Sequence, residues 1–293
     1  MFKKVILFFA VLLFIFSFLR MSGINLVGNA ENSAKSSEKN LRYWQKDPYA
    51  AEYAILFNDL KKRGYQEYEL EDIFSDSRVR FYSHIYYRES EPGEVGEKKK
   101  IKKQTCLDYH LGKREVRRGK NFLLAHRDLL QRIENTFGVD KEAVVSILKV
   151  ETNFGRHFGG YSIFGVYNTA FSMHWREETK KWARQELISF LVICKKNGWD
   201  PFSIKGSNWG AFGWPQFLPT SYQHFAVDGN NDGKINLFDL EDGAYSVANY
   251  LKQHGWKMGD STVNRKAIYA YNRDWYYVEI VEKYTEKIKE KDS

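Results

Sequence analysis

The chain has 293 residues, 43% of them hydrophobic, 28% charged and 16% aromatic, with a formal net charge of +8. This is too apolar for a disordered chain and long enough for one core with a lobe packed on it. Two cysteines, Cys106 and Cys194, exclude a disulfide-dense scaffold; without clustered histidines they also argue against a zinc centre, and either one disulfide or two packed thiols fits their spacing.

The chain starts with Lys3 and Lys4 ahead of an apolar stretch, 5–19, which is shorter than the ~20 residues a spanning helix needs. This reads as an export signal over 1–30, with Gly28 and Ala30 as the small residues before a cleavage point. An uncleaved anchor is the alternative. No cysteine nearby offers a lipid attachment point. Loss of 1–30 removes Lys3, Lys4 and Arg20 and no acid, leaving a charge of +5. A mildly basic exported protein suits an anionic polymer, or an inner- or outer-membrane surface. Export and the lack of a recognition motif disfavour nucleic acid. The polar stretch 31–43 reads as a disordered spacer. Residues 44–104 read as an N-terminal helical lobe, with apolar periodicity at 49–60 and 68–74, closing in a basic linker that contains Lys98, Lys99, Lys100, Lys102 and Lys103.

Residues 105–290 read as a second, mainly α unit. Helical patterns cover 121–137, 140–154, 179–197, 240–254 and 275–289, and strand signals are few. One stretch stands out: Val144, Val145, Ile147, Leu148 and Val150 are too apolar for a surface helix, and they end on Glu151. Asp140 is the expected N-cap and Gly155 the expected stop. A carboxyl placed there meets a low-dielectric wall and the negative end of the helix dipole, and both raise its pKa. A protonated carboxyl near neutral pH is what protonates a leaving glycosidic oxygen. Further on, 205–222 is rich in glycine and aromatics and has no acid. Glycines let backbone approach a ligand, aromatic faces suit sugar rings, and Ser207 and Gln216 can hydrogen-bond hydroxyls and amides. Glycoside hydrolysis ordinarily pairs two carboxylates, and neither stretch supplies a second.

Asp228, Asn230, Asp232, Asn236 and Asp239 fall at positions one, three, five, nine and twelve of an EF-hand-like loop, with Gly233 at six. Lys234 would add its carbonyl at position seven. The expectation is one structural calcium that stiffens a loop beside the groove.

The stretch 137–155, the run 205–222, the helix 246–256 and the group Ala270, Tyr271, Asn272 and Tyr277 come in an order and at spacings that resemble the membrane-bound lytic murein transglycosylase B family. Weaker similarity reaches back to Trp44. The resemblance implies a mainly α, lysozyme-like catalytic domain in which Glu151 is the single catalytic acid/base. It also implies that Tyr109, Arg176, Ser207, Gln216, Tyr222, Tyr271, Asn272 and Tyr277 line the substrate groove, that a calcium site is present, and that no cofactor takes part in the chemistry. Glu177 and Ala270 depart from the family, which usually carries arginine there. The implied reaction cleaves the β-1,4 bond between N-acetylmuramic acid and N-acetylglucosamine of peptidoglycan glycan strands, in the periplasm, leaving a 1,6-anhydromuramyl end. The residues alone also allow a muramidase that hydrolyses the same bond, or a non-catalytic peptidoglycan-binding protein.

Overall fold

A computed structural model of the chain describes residues 42–45, 50–87, 107–174 and 176–290. The expected export signal, the spacer, the basic linker and Cys106 lie outside the described residues. Among those described, no helix is long and apolar enough to cross a membrane.

Twelve helices and one short two-stranded sheet are described. They are α1 (Ala50–Lys61), α2 (Glu67–Ser75), α3 (Ser83–Tyr87), α4 (Lys113–Ala125), α5 (Arg127–Phe137), α6 (Lys141–Thr152), α7 (Ile163–Met173), α8 (Glu177–Asn197), α9 (Pro219–Phe225), α10 (Leu240–Gln253), α11 (Ser261–Tyr271) and α12 (Trp275–Lys289). Strands β1 (Tyr161–Ser162) and β2 (Lys205–Gly206) pair antiparallel, Tyr161 opposite Gly206. The mainly α class is as expected. The expected single helix over 121–137 is two helices, broken at His126, whose N–H turns back to Leu124 and Phe122 carbonyls. The imidazole packs on Phe122 with ring centroids 4.4 Å apart.

Two apolar cores form, and they do not follow chain order. In the first, Tyr53, Leu56, Leu60, Leu70 and Phe74 of α1 and α2 pack against Phe164, Tyr167, Phe190 and Leu191 of α7 and α8. Buried polar contacts fix that union: the Tyr53 hydroxyl donates to Asn168 Oδ1 (2.7 Å) and the Tyr65 hydroxyl to the Leu191 carbonyl (2.6 Å). The second joins α5, α6, α10, α11 and α12 through Leu130, Ile133, Val144, Leu148, Val247, Leu251, Ile268, Val278 and Val281. Each such side chain contributes about 1.5–3 kcal/mol by leaving water. The spacing 277, 278, 280, 281, 284, 288 puts one face of α12 against α6. Tyr271 packs against both cores, so the end of α11 sits on their seam.

Candidate active site

Helix α6 is buried almost all round, from Ala143 to Val150, and Glu151 lies in its last turn. The expected cap and stop take different forms. Asp140 stands at the N-cap without a side-chain cap bond; its carboxylate accepts instead from Trp256 Nε1 (3.1 Å) and Lys289 Nζ (2.6 Å). The helix stops at Asn153 (φ 53°), followed by Phe154 (φ 60°) and Gly155 (φ 73°). Three successive left-handed residues reverse the chain just past Glu151, and two of them are not glycine. The Gly155 conformation suits glycine alone, and a Cβ there would lie 2.6 Å from the Trp214 ring.

Glu151 remains partly open to solvent. Protein still surrounds its carboxyl closely enough that burial pushes its pKa from 4.5 up to about 7, while a hydrogen bond from Tyr277 opposes the rise. That bond runs from the Tyr277 hydroxyl to Glu151 Oε1 at 2.6 Å. Tyr277 comes from the first turn of α12, where Asp274 caps the helix by accepting from the Tyr276 N–H (3.0 Å). The Tyr277 and Tyr271 rings stack nearly parallel, centroids 6.4 Å apart and planes 6° apart. The Tyr271 hydroxyl in turn donates to the Pro215 carbonyl at 2.6 Å. Burial and the nearby Glu151 carboxylate hold both phenols well above their ordinary pKa, so they act as neutral donors. The acid on α6, two tyrosines from α11 and α12, and the glycine-rich loop therefore form one constellation.

The remaining sequence-derived groove residues divide. Gln216 holds φ 48°, and its Nε2 donates to the Gly213 carbonyl at 3.0 Å and the Phe158 carbonyl at 3.4 Å, which ties the loop to the stretch after α6. Ser207 is buried, and its Oγ accepts from the Trp209 N–H (3.2 Å) and the Ala211 N–H (3.1 Å), a role in shaping the loop. Asn272 ends α11, and its Oδ1 is buried without a hydrogen-bond partner, as suits an atom kept for a ligand. Tyr109 lies in a helical turn before α4, its ring 4.9 Å from Lys149 Nζ. Arg176 caps α8, and its N–H donates to His174 Nδ1 at 3.0 Å. Glu177 pairs with Lys180 within α8 (3.3 Å), and the Ala270 carbonyl accepts from the Tyr250 hydroxyl. Tyr222 is in the core: its hydroxyl donates to the Ile235 carbonyl at 2.8 Å and its ring stacks on Phe212. It braces the 228–239 loop.

In that loop the expected ligands make hydrogen bonds of their own. Asp239 caps α10, accepting from the Glu241 N–H at 2.8 Å, and Asn236 Oδ1 accepts from the Phe238 N–H. Asp228 Oδ1 and Asn230 Oδ1 both accept from the Asp232 N–H (3.1 and 3.0 Å), so these oxygens do gather on one turn with Gly233 at φ 84°. Among the described residues, no three His, Cys, Asp or Glu side chains converge on a point that could hold a metal. The buried Asp242 organises the loop, accepting from the N–H groups of Gly229 (2.8 Å) and Asn236 (2.7 Å). A cleft of about 460 Å³ lies between the α4–α5 corner and the start of α10, lined by residues including His126, Asn230, Asp239 and Glu241. None of the residues around Glu151 lines it; a polymer strand calls for an open groove rather than an enclosed pocket.

Sequence reasoning missed Trp214, Asp242, Glu115 and Lys149. Trp214 is wedged between Gly155 and Gly243, where added Cβ atoms would come within 2.6 and 2.5 Å of it. Its N–H and Nε1 donate to the Leu237 and Phe238 carbonyls. The signal for Lys149 was visible: one charge inside an otherwise apolar helix.

The family model described as Transglycosylase SLT domain matches residues 49–274. Over 146 residues, half of this chain, the sequence is 41% identical to the membrane-bound lytic murein transglycosylase B of Escherichia coli (strain K12); the match spans 40% of that relative's length. The fold superposes on the soluble lytic transglycosylase SltB1 of Pseudomonas aeruginosa with a TM-score of 0.72 at 26% identity, covering 81% of this chain and 98% of the other. A structure of the Escherichia coli lytic transglycosylase Slt35 in complex with calcium superposes with a TM-score of 0.73 at 24% identity, covering 84% of this chain and 94% of the other.

Proposed function

This chain belongs to the Transglycosylase SLT domain family, and from that premise we propose that it is a lytic murein transglycosylase with Glu151 as its sole acid/base. The observation that carries the reading is the Glu151 carboxyl, desolvated to a pKa of about 7 and, among the described residues, hydrogen-bonded by one side chain, the Tyr277 hydroxyl. No second carboxylate stands in that constellation, so the nucleophile comes from the substrate.

Protonated Glu151 donates its proton to the glycosidic oxygen of the departing N-acetylglucosamine as the bond to the muramyl anomeric carbon breaks. The muramyl N-acetyl carbonyl oxygen bonds to that carbon and carries the positive charge. Glu151, now ionised and stabilised by the Tyr277 O–H, takes the proton of the muramyl C6 hydroxyl. The C6 oxygen closes on the anomeric carbon and expels the N-acetyl oxygen, giving the 1,6-anhydro ring and regenerating the acid. No water is consumed. Tyr271, Asn272 Oδ1 and Gln216 border the reacting centre, Tyr109 and Arg176 extend the groove, and Ser207 holds the loop.

The carboxamide and carboxylate oxygens of Asp228, Asn230 and Asp232, with the Lys234 carbonyl, suit one hard cation, and calcium bound to the related Slt35 supports this. Such an ion would stiffen the loop that Tyr222 and Trp214 lean on; proton transfer at Glu151 does not require it. The Lys3–Lys4 signal and the membrane-bound relative support a periplasmic site of action.

Mass spectrometry of fragments released from purified murein sacculi tests the reaction. Anhydromuramyl ends, lighter by one water and inert to borohydride, are expected. Reducing ends throughout would make the enzyme a muramidase, and binding without release would make it a non-catalytic wall protein.

A further inference from the structure

Beside Glu151 in sequence, the end of α6 carries a buried charge network. Lys149, two residues before the acid, is fully buried. Its Nζ lies 2.9 Å from the Glu115 carboxylate of α4 and donates to Asn153 Oδ1 at 3.0 Å. Arg118, one turn along α4 from Glu115, closes the network. Its Nη1 donates to Glu115 (2.6 Å) and Asn153 Oδ1 (2.8 Å), and its Nη2 to the Asn153 carbonyl (3.2 Å). Asn153 is the residue at which α6 stops in the left-handed region, which asparagine tolerates, ahead of Phe154, which occupies it at a greater cost.

A buried ion pair adds little net stability over well-packed apolar side chains, because desolvation consumes the Coulombic gain. A leucine at 149 would serve the core as well. What Lys149 does that a leucine cannot is donate to the Asn153 side chain and, through Glu115, fix the Arg118 guanidinium that grips both that side chain and the Asn153 carbonyl. Glu151 lies midway between Lys149 and Asn153, so the point and angle at which the helix stops decide where its carboxyl points. We propose that Lys149 and Glu115, with Arg118 and through Asn153, are positioning residues that hold Glu151 in line with Tyr277. This rests on the role of Glu151 given above.

The charges around the network are few. Lys149 faces Glu115 and Arg118 from α4, Arg156 from the stretch after α6, and the Tyr109 and His110 rings. Glu151 faces Tyr277 and Tyr271. Burial pushes the Glu115 carboxyl up, but Lys149 and Arg118 outweigh it and keep Glu115 ionised. A Glu151 carboxyl turned away from Tyr277 loses the hydrogen bond that opposes its rise, so its pKa climbs further.

The test uses the full chain on murein sacculi, with Lys149→Met, Glu115→Gln and the double variant. Lys149→Met is expected to lower kcat by about tenfold or more with little change in KM, as for a misaimed acid. Glu115→Gln is expected to move the basic limb of the pH–rate profile to higher pH, because the Tyr277 hydrogen bond that opposes the rise is weakened. The double variant removes both charges and should fold even if a single one does not; its kcat should still be low. Leu60→Ala, in the other core, controls for lost stability and should keep kcat at a temperature where it is folded. A ¹³C NMR titration of the Glu151 carboxyl, with Glu151→Gln as the assignment, reads the same pKa shift without turnover. Failure of the reaction assignment is thereby distinguished from failure of this proposal. Unchanged kcat in Lys149→Met and in the double variant would overturn it, as would an unmoved Glu151 titration in Glu115→Gln.

Discussion

The Tyr277 hydroxyl meets Glu151 Oε1 at 2.6 Å across 126 positions of sequence. The bond is placed by the packing of α12 on α6 and by Asp274 at the start of α12. It gives the buried acid a donor that strengthens as the acid ionises, as an acid/base cycling between two protonation states requires.

Glu151→Gln is expected to lower turnover by about 10²–10⁴-fold with murein binding retained, because the amide cannot move a proton. The same change should stabilise the fold in a pH-dependent way. The folded pKa of about 7 exceeds the ordinary 4.5, so the native state holds a proton the unfolded chain has released. The stability tied to that proton is complete below 4.5 and is lost as pH rises through about 7. Thermal melts should therefore show Glu151→Gln above the parent at pH ~8 and level with it at pH ~4. Identical melting curves at both values would disprove the desolvated acid.

Tyr277→Phe removes the one contact that lowers the Glu151 pKa. The basic limb of its pH–rate profile should move to higher pH, with kcat reduced by roughly tenfold at neutral pH. A limb that stays in place or moves down would separate Tyr277 from the ionisation of Glu151.

Gly155→Ala meets two penalties, a left-handed φ of 73° and a Cβ 2.6 Å from the Trp214 ring. A loss of about 2 kcal/mol or more is expected, read as a fall in Tm of several degrees. Trp214→Leu in the same chain should restore part of it, since the two sites touch. Strict additivity of the two losses would refute the wedge.

Calcium should raise Tm by mass action if the 228–239 loop holds it, and magnesium should do so less. Asp232→Ala should abolish the response. A Tm indifferent to calcium and chelator would leave the loop braced by Asp242 and Tyr222 alone.

The sequence by itself determined the mainly α class and singled out Glu151 as the candidate acid. Apolar periodicity set α1, α6, α8, α10 and α12 to within a few residues, because a stripe that must leave water repeats with the helical turn. A carboxylate at the end of a mostly apolar, buried helix singled out Glu151 for the same reason. Short helices such as α7 and α11 escaped: α7 is buried nearly all round and shows no polar face. Local pattern did not show the partners of polar ends. Asp140 stands at the cap and also serves Trp256 and Lys289; the Tyr222 hydroxyl reaches Ile235; Asp239 caps α10. A hydroxyl or carboxylate takes whichever partner packing brings near, and those partners are distant in sequence. Only the tertiary structure could decide that Tyr277 answers Glu151, that Lys149 finds Glu115, and that Asn153 ends the helix between them.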